Sequence, residues 1–151
     1  MRDRTLAALL ALLAFWAIVW MAPQDPGNTQ VITRLGLTLS IVEDGRLDID
    51  KIAGWTIDKA QFGEHFYADK VPGQSLLAVP GVALTQGVGR MLGWNTDWLD
   101  RAVFARLAYA ATVLTNGLIS ALAVAAVFGT ARRLGATQAG AAFAAGSLGL
   151  A

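Results

Sequence analysis

The residues best equipped for chemistry lie close together in one polar stretch. Asp58-Lys59 is followed by Gly63-Glu64-His65-Phe66-Tyr67-Ala68-Asp69-Lys70-Val71-Pro72-Gly73. Carboxylates, a histidine, a tyrosine and two lysines in so short a span can bind an anionic phosphate head group, coordinate a divalent ion or deprotonate an acceptor. Composition leaves all three open, together with a fourth reading in which these are solvated loop charges over packed aromatics. A second pattern, Asp48-Ile49-Asp50, matches the D-x-D arrangement that many sugar-nucleotide transferases use to hold a metal. The alternating strands and helices of such a domain are missing from the sequence pattern. The chain has no cysteine and one histidine, so a metal would take oxygen ligands and His65.

The elements that must position these groups are apolar. Of 151 residues, 55% are hydrophobic and 15% charged, and the apolar residues come in blocks rather than short periodic segments. Thr5 to Ala22 is a run of eighteen uncharged residues, about 27 Å long as a helix and enough to cross a hydrocarbon layer. Arg2 and Arg4 ahead of it and Met21-Ala22 at its end also fit a cleaved secretory signal. Phe15, Trp16 and Trp20 are bulky, interface-seeking residues that favour an anchor. A second block, 103–131, is interrupted by Arg106 and Asn116 and stops at Arg132-Arg133. Arg106 is near the end and can snorkel, whereas Asn116 is a polar group at mid-span. A third apolar run occupies 139–151 and breaks off mid-pattern, as expected of a truncated chain.

Paired arginines at both outer ends place residues 1–4 and 132–138 in the cytoplasm and the 23–102 loop outside it. Within that loop Pro23, Pro26 and Gly27 end the first span, and Asn28 or Thr29 can cap a helix. Val31, Leu35, Leu39 and Val42 recur at helical spacing and Gly45 offers a stop, so 29–44 is read as an amphipathic helix along the membrane surface. Residues 46–70 show no clear period, with Gly54 and Gly63 as turn signals. Residues 74–92 are apolar but carry Pro80, Gly81, Gly87 and Gly89, and fit an interfacial or re-entrant helix. Trp94 and Trp98 stand at the mouth of the second span, where indoles favour headgroups. The expected fold class is therefore an all-α polytopic membrane protein, its spans joined by an extracytoplasmic loop with juxtamembrane helices. A net charge of +1 gives no nucleic-acid footprint.

The stretch from Thr29 to Pro80, with Arg34, Val42-Glu43-Asp44-Gly45, Asp58-Lys59-Ala60 and His65 through Gly73, resembles the first extracytoplasmic loop of bacterial GT-C membrane glycosyltransferases. These are relatives of protein O-mannosyltransferases and aminoarabinose transferases. Tyr67-Ala68-Asp69-Lys70-Val71-Pro72 is similar to the family's Y-F-x-K-P-P phrase, and Ala131-Arg132-Arg133-Leu134-Gly135 to its turn between the second and third spans. The resemblance implies the N-terminal part of a GT-C fold in the bacterial inner membrane, acting on a polyprenyl-phosphate-linked sugar donor. It implies that Lys70, with Lys59 and Arg34, meets the donor phosphate. Asp69 would help hold a divalent metal, with His65 a second ligand, or orient the acceptor; Asp58 and Tyr67 complete the site. The family's acidic pair after the first span is not matched: Asp25 precedes Pro26, and Asn28-Thr29-Gln30 contains no carboxylate. The candidates for a catalytic base are Asp25, Glu43 and Asp44, in that order.

The expected function is transfer of a sugar from a polyprenyl-phosphate carrier to an acceptor outside the cytoplasm. The alternative is a non-catalytic transporter or envelope-assembly subunit. A transporter would place its ionisable residues in mid-membrane at broken helices, and here they concentrate in the loop.

Overall fold

The computed structural model describes residues 3–22 and 27–149. They are mostly helical: α1 (Asp3–Met21), α2 (Thr29–Leu39), α3 (Gly73–Met91), α4 (Arg101–Thr112), α5 (Leu118–Arg133) and α6 (Gln138–Gly149). A π turn, Ser40–Asp44, prolongs α2, and a second, Val113–Gly117, joins α4 to α5 without a break. The chain divides into two compact units, Met1–Ala22 with Thr115–Ala151 and Pro23–Leu114.

The first unit packs α1, α5 and α6 around small residues. Ala14, Val124, Phe128, Ala141 and Ala145 are buried, with Leu6, Leu10 and Val127 against them. Its outward side chains are equally apolar: Leu13, Trp16 and Trp20 on α1, Leu118 and Leu122 on α5, Phe143 on α6. A helix apolar all round needs an apolar surrounding. Two helices, Asp3–Met21 and Arg101–Arg133, are long and apolar enough to cross a membrane, with a mean hydropathy of 1.9 each. At its charged end the unit is closed by Arg132, which donates to Asp3 Oδ2 at 2.8 Å, while Gln138 donates to the other oxygen at 3.0 Å.

The second unit has a core of its own. Ile32, Leu35 and Leu39 of α2 meet Ile49, Ile52, Val82, Trp98, Phe104 and Leu107, all nearly or fully enclosed. Each such side chain contributes roughly 1.5–3 kcal/mol through burial. Asn28 caps α2 by accepting from the Gln30 amide, and Asp100 caps α4 by accepting from Ala102 and Val103. Gly45, at φ 64°, closes the π turn in a left-handed conformation. Gly36 is required by close approach, because a Cβ there would come within 2.5 Å of Ile52 Cδ1.

Two expectations about this unit are corrected. The helix at 29–44 was expected to lie along a membrane surface, yet Leu35 and Leu39 are buried in the unit's core, together with Ile32, Thr33 and Gly36 around the same helix. No apolar stripe remains on α2 for lipid. Trp98 was expected among headgroups, but it is 6% exposed and carries Lys51 Nζ over its ring at 5.6 Å. Trp94 alone of the pair is exposed.

The all-α expectation also omitted a short antiparallel hairpin, β1 (Lys59–Phe62) and β2 (His65–Ala68), in register Lys59 to Ala68 and Phe62 to His65. Its two-residue loop places Gly63 at φ 61° with Glu64 at negative φ, the pattern of a II′ turn, whose first position favours glycine. The backbone amide of Ile49 donates to Phe66 O at 2.8 Å and fastens the hairpin to the preceding segment.

Candidate functional site

The hairpin register decides which chemical groups meet. Pairing Lys59 with Ala68 sets residue 58 opposite residue 69, so Asp58 and Asp69 flank Lys70. Lys70 Nζ lies 3.0 Å from Asp69 Oδ2 and 3.9 Å from Asp58 Oδ1. The lysine side chain is about one third exposed, within reach of solvent.

Asp58 is fixed by three threonines. Thr29 Oγ1 donates to Asp58 Oδ2 at 2.8 Å, Thr33 Oγ1 donates to the Asp58 carbonyl at 2.9 Å, and the Asp58 amide donates to Thr56 Oγ1 at 3.0 Å. Thr33 Oγ1 and Thr56 Oγ1 lie 2.7 Å apart and Thr56 Oγ1 lies 3.1 Å from Thr29 O, so the two hydroxyl protons are shared among three contacts. This network ties the first turn of α2 to the entrance of the hairpin. Sequence reasoning missed it, although Thr29 and Thr33, one helical turn apart, were a legible signal.

The other cationic candidates behave differently. Lys59 donates to the Ala53 carbonyl and lies over the Phe66 ring at 4.8 Å, so it clamps the 3-10 turn Asp50–Trp55 to the hairpin. Arg34, midway along α2, has its Nε enclosed with no acceptor, and no carboxylate pairs with it among the described residues. Tyr67 is half-buried in β2 opposite Ala60.

The acidic candidates are dispersed. Asp25 lies outside the described residues. Glu43 pairs with Arg90 and keeps a second oxygen enclosed without a partner, and Asp44 pairs with Lys51 at 2.7 Å. Both sit at the far end of α2 and its π turn from Thr29, roughly 20 Å along the axis at about 1.5 Å per residue. The structure therefore does not bring Glu43 or Asp44 beside Lys70. Asp58 and Asp69 are the carboxylates there.

His65 also goes elsewhere. Its Nδ1 is 2.6 Å from Asp50 Oδ2, and Asp48, Asp50 and His65 can each offer an atom within 4.8 Å of the others, close enough to surround a metal ion. Asp69 is not of this group. The oxygens are already in use: Arg46 Nε is 2.7 Å from Asp48 Oδ2, another Arg46 nitrogen is 3.5 Å from Asp50 Oδ2, and the Phe66 amide donates to Asp50 Oδ1 at 2.7 Å. The Phe66 amide above all, then the His65 ring and the Arg46 charge, hold the Asp50 carboxyl below its ordinary pKa. A guanidinium seated on two of three potential ligands fits a cation poorly. The group works as an ion-paired clasp between the hairpin and the segment before it.

No protein-family model, curated protein or solved structure matches the chain.

Proposed function

We propose that the chain is part of an integral membrane glycosyltransferase that moves a sugar from a polyprenyl-phosphate donor to an acceptor outside the cytoplasm. The observation that carries this reading is Lys70 held between Asp58 and Asp69 at the end of α2 that follows the first membrane-length helix in the chain. Its family element remains the resemblance of the Thr29–Pro80 stretch to the GT-C loop.

The chemistry needs few parts. An acceptor hydroxyl attacks the anomeric carbon, the bond from that carbon to the phosphate oxygen breaks, the acceptor proton passes to a carboxylate, and polyprenyl phosphate leaves with the bonding pair. Lys70 supplies a compact positive charge that follows the phosphate as charge builds on it. Its two carboxylate partners hold the ammonium in place until an anion displaces one of them. Asp58 and Asp69 are the bases the geometry supports. Asp25, four residues before Thr29, is the third candidate. No metal is required in this scheme, because the ammonium answers the leaving charge. Arg34, lacking a carboxylate partner among the described residues, is a second cation for the donor.

The test is sugar transfer in membranes containing the full-length protein, with expression matched between variants. Lys70→Ala is expected to lower transfer by about two to three orders of magnitude, the usual loss when a transition-state charge partner is removed, with little rescue by Lys70→Arg. Near-normal transfer by Lys70→Ala rules out the role.

A further inference from the structure

Helix α3 wears its polarity inside out. Its inward face, Ser75, Ala78, Val82, Gln86 and Gly89, recurs at spacings of three and four and packs within the second unit. Two of those residues are polar, and Ser75 and Gln86 are each 2% exposed. Thr38 Oγ1 donates to the Ser75 carbonyl at 3.0 Å, and Gln86 Nε2 donates to Thr96 O at 3.1 Å. The outward face carries Leu77, Leu84, Val88 and Met91, of which Leu84 is 63% and Met91 87% exposed. No charged residue occurs from Gly73 to Gly89. In water this arrangement leaves apolar surface uncovered on a helix already anchored by its other side.

The neighbouring helix says what covers that face. Arg101–Arg133 is one continuous helix of 33 residues, about 50 Å long, whereas the hydrocarbon layer is about 30 Å thick. With Arg132 and Arg133 at one boundary, roughly twenty residues of apolar span place the opposite boundary near Val113 and Leu114. Gly81 of α3 lies against that level, because a Cβ on it would meet Leu114 Cβ at 3.1 Å. At the other end of α3, exposed Trp94 and Arg106 supply an indole and a cation that favour phosphate headgroups, while Arg90 is paired with Glu43.

We infer that the outward face of α3 rests in the hydrocarbon-headgroup boundary of a phospholipid bilayer, with Leu77 and Leu84 in acyl chains and Trp94 among headgroups. The inference rests on the reading of the chain as membrane-spanning and is independent of sugar transfer. A lipid-facing α3 gives a polyprenyl donor an apolar approach along the same unit that holds Lys70.

The chain has no native cysteine, so single cysteines report without background. The full-length protein would be spin-labelled at Leu77→Cys, Leu84→Cys or Met91→Cys and placed in vesicles of phosphatidylethanolamine and phosphatidylglycerol. Collision with oxygen, which partitions into lipid, is compared with collision with a water-soluble nickel chelate. Leu122→Cys reports on the span, and Leu47→Cys and Phe62→Cys on exposed apolar positions away from α3. Oxygen is expected to dominate at Leu77, Leu84 and Leu122, and nickel at Leu47 and Phe62, with Met91 between them. Nickel dominance at Leu77 and Leu84 while Leu122 favours oxygen overturns the inference and leaves the span intact. Shielding of Leu77 and Leu84 from both reagents overturns it in favour of a protein partner, and nickel dominance at Leu122 removes the membrane reading beneath it.

Discussion

Replacing Thr33 with valine removes one hydroxyl from the network that holds Asp58, and its cost can be worked out bond by bond. Thr33 is fully buried and Thr56 nearly so. Each hydroxyl has one proton, yet three oxygen-oxygen contacts depend on the pair: Thr33 to Asp58 O, Thr56 to Thr29 O, and Thr33 to Thr56. Two protons therefore serve three contacts. In Thr33→Val the Thr56 proton goes wholly to Thr29 O, the Asp58 amide keeps its acceptor, and the Asp58 carbonyl loses its hydroxyl donor. One half-buried acceptor is left short and the Thr33–Thr56 contact is lost, together about 1–2 kcal/mol. Thr56→Val removes the donor to Thr29 O, the acceptor of the Asp58 amide and the same shared contact, together about 2–3 kcal/mol by the same reasoning. The double variant is expected to fall short of the sum by about 0.5–1.5 kcal/mol, since the shared bond is counted twice. Native-state hydrogen exchange on the full-length protein in vesicles reads this locally, because about 1.4 kcal/mol is tenfold in the population of an opened state. The Asp58 amide should lose protection more in Thr56→Val than in Thr33→Val. Equal protection in wild type and both variants, or strict additivity in the double variant, refutes the argument.

Two further outcomes follow from the clasp and the charge pattern. The Asp50 carboxyl is held below its ordinary value of 3.8, so its contribution to stability is present above that pH and is lost as pH falls through the lower folded value. The Phe66 amide proton, which Asp50 accepts, should shift with an NMR midpoint below 3.8, and a midpoint at or above it would show that the carboxylate is not held as described. For orientation, Glu64→Cys is expected to react with a membrane-impermeant thiol reagent in intact cells and Leu134→Cys to stay unlabelled, both sites being exposed. The reverse pattern would place the loop in the cytoplasm.

Helix positions were legible in the sequence because local signals agreed. Of the two cap candidates Asn28 and Thr29, Asn28 accepts from Gln30, and the apolar blocks became α1, α6 and the continuous helix Arg101–Arg133 that comprises α4, the π turn and α5. What the sequence concealed was which surroundings each apolar face would meet. Leu35 and Leu39 have the spacing of a membrane-surface helix, and the same spacing serves a helix enclosed by Ile49, Ile52 and Phe104. The hairpin escaped because four-residue strands give period two little room to show, and every residue of β1 after Lys59 is exposed. At the site, Asp69 and Lys70 are neighbours in sequence, but Asp58 joins them only through the strand register. The contact of His65 with Asp50 spans fifteen residues and depends on the fold of both segments, so no spacing rule could have preferred it to Asp69.

The inverted polarity of α3 also sets how the helix tolerates change over generations. Under the inferred bilayer contact, lipid demands hydrophobicity without shape, so Leu77, Leu84, Val88 and Met91 are expected to exchange among leucine, isoleucine, valine, methionine and phenylalanine at little cost. Gln86 has no such freedom, since its amide must find the Thr96 carbonyl in an enclosed space and any apolar substitute leaves that carbonyl without its donor. In a soluble domain the slow-changing positions of a helix are its inward apolar ones and the drifting positions are outward and polar. On α3 the position expected to resist substitution most is the inward, polar Gln86, and those expected to tolerate it are the outward, apolar Leu77, Leu84, Val88 and Met91.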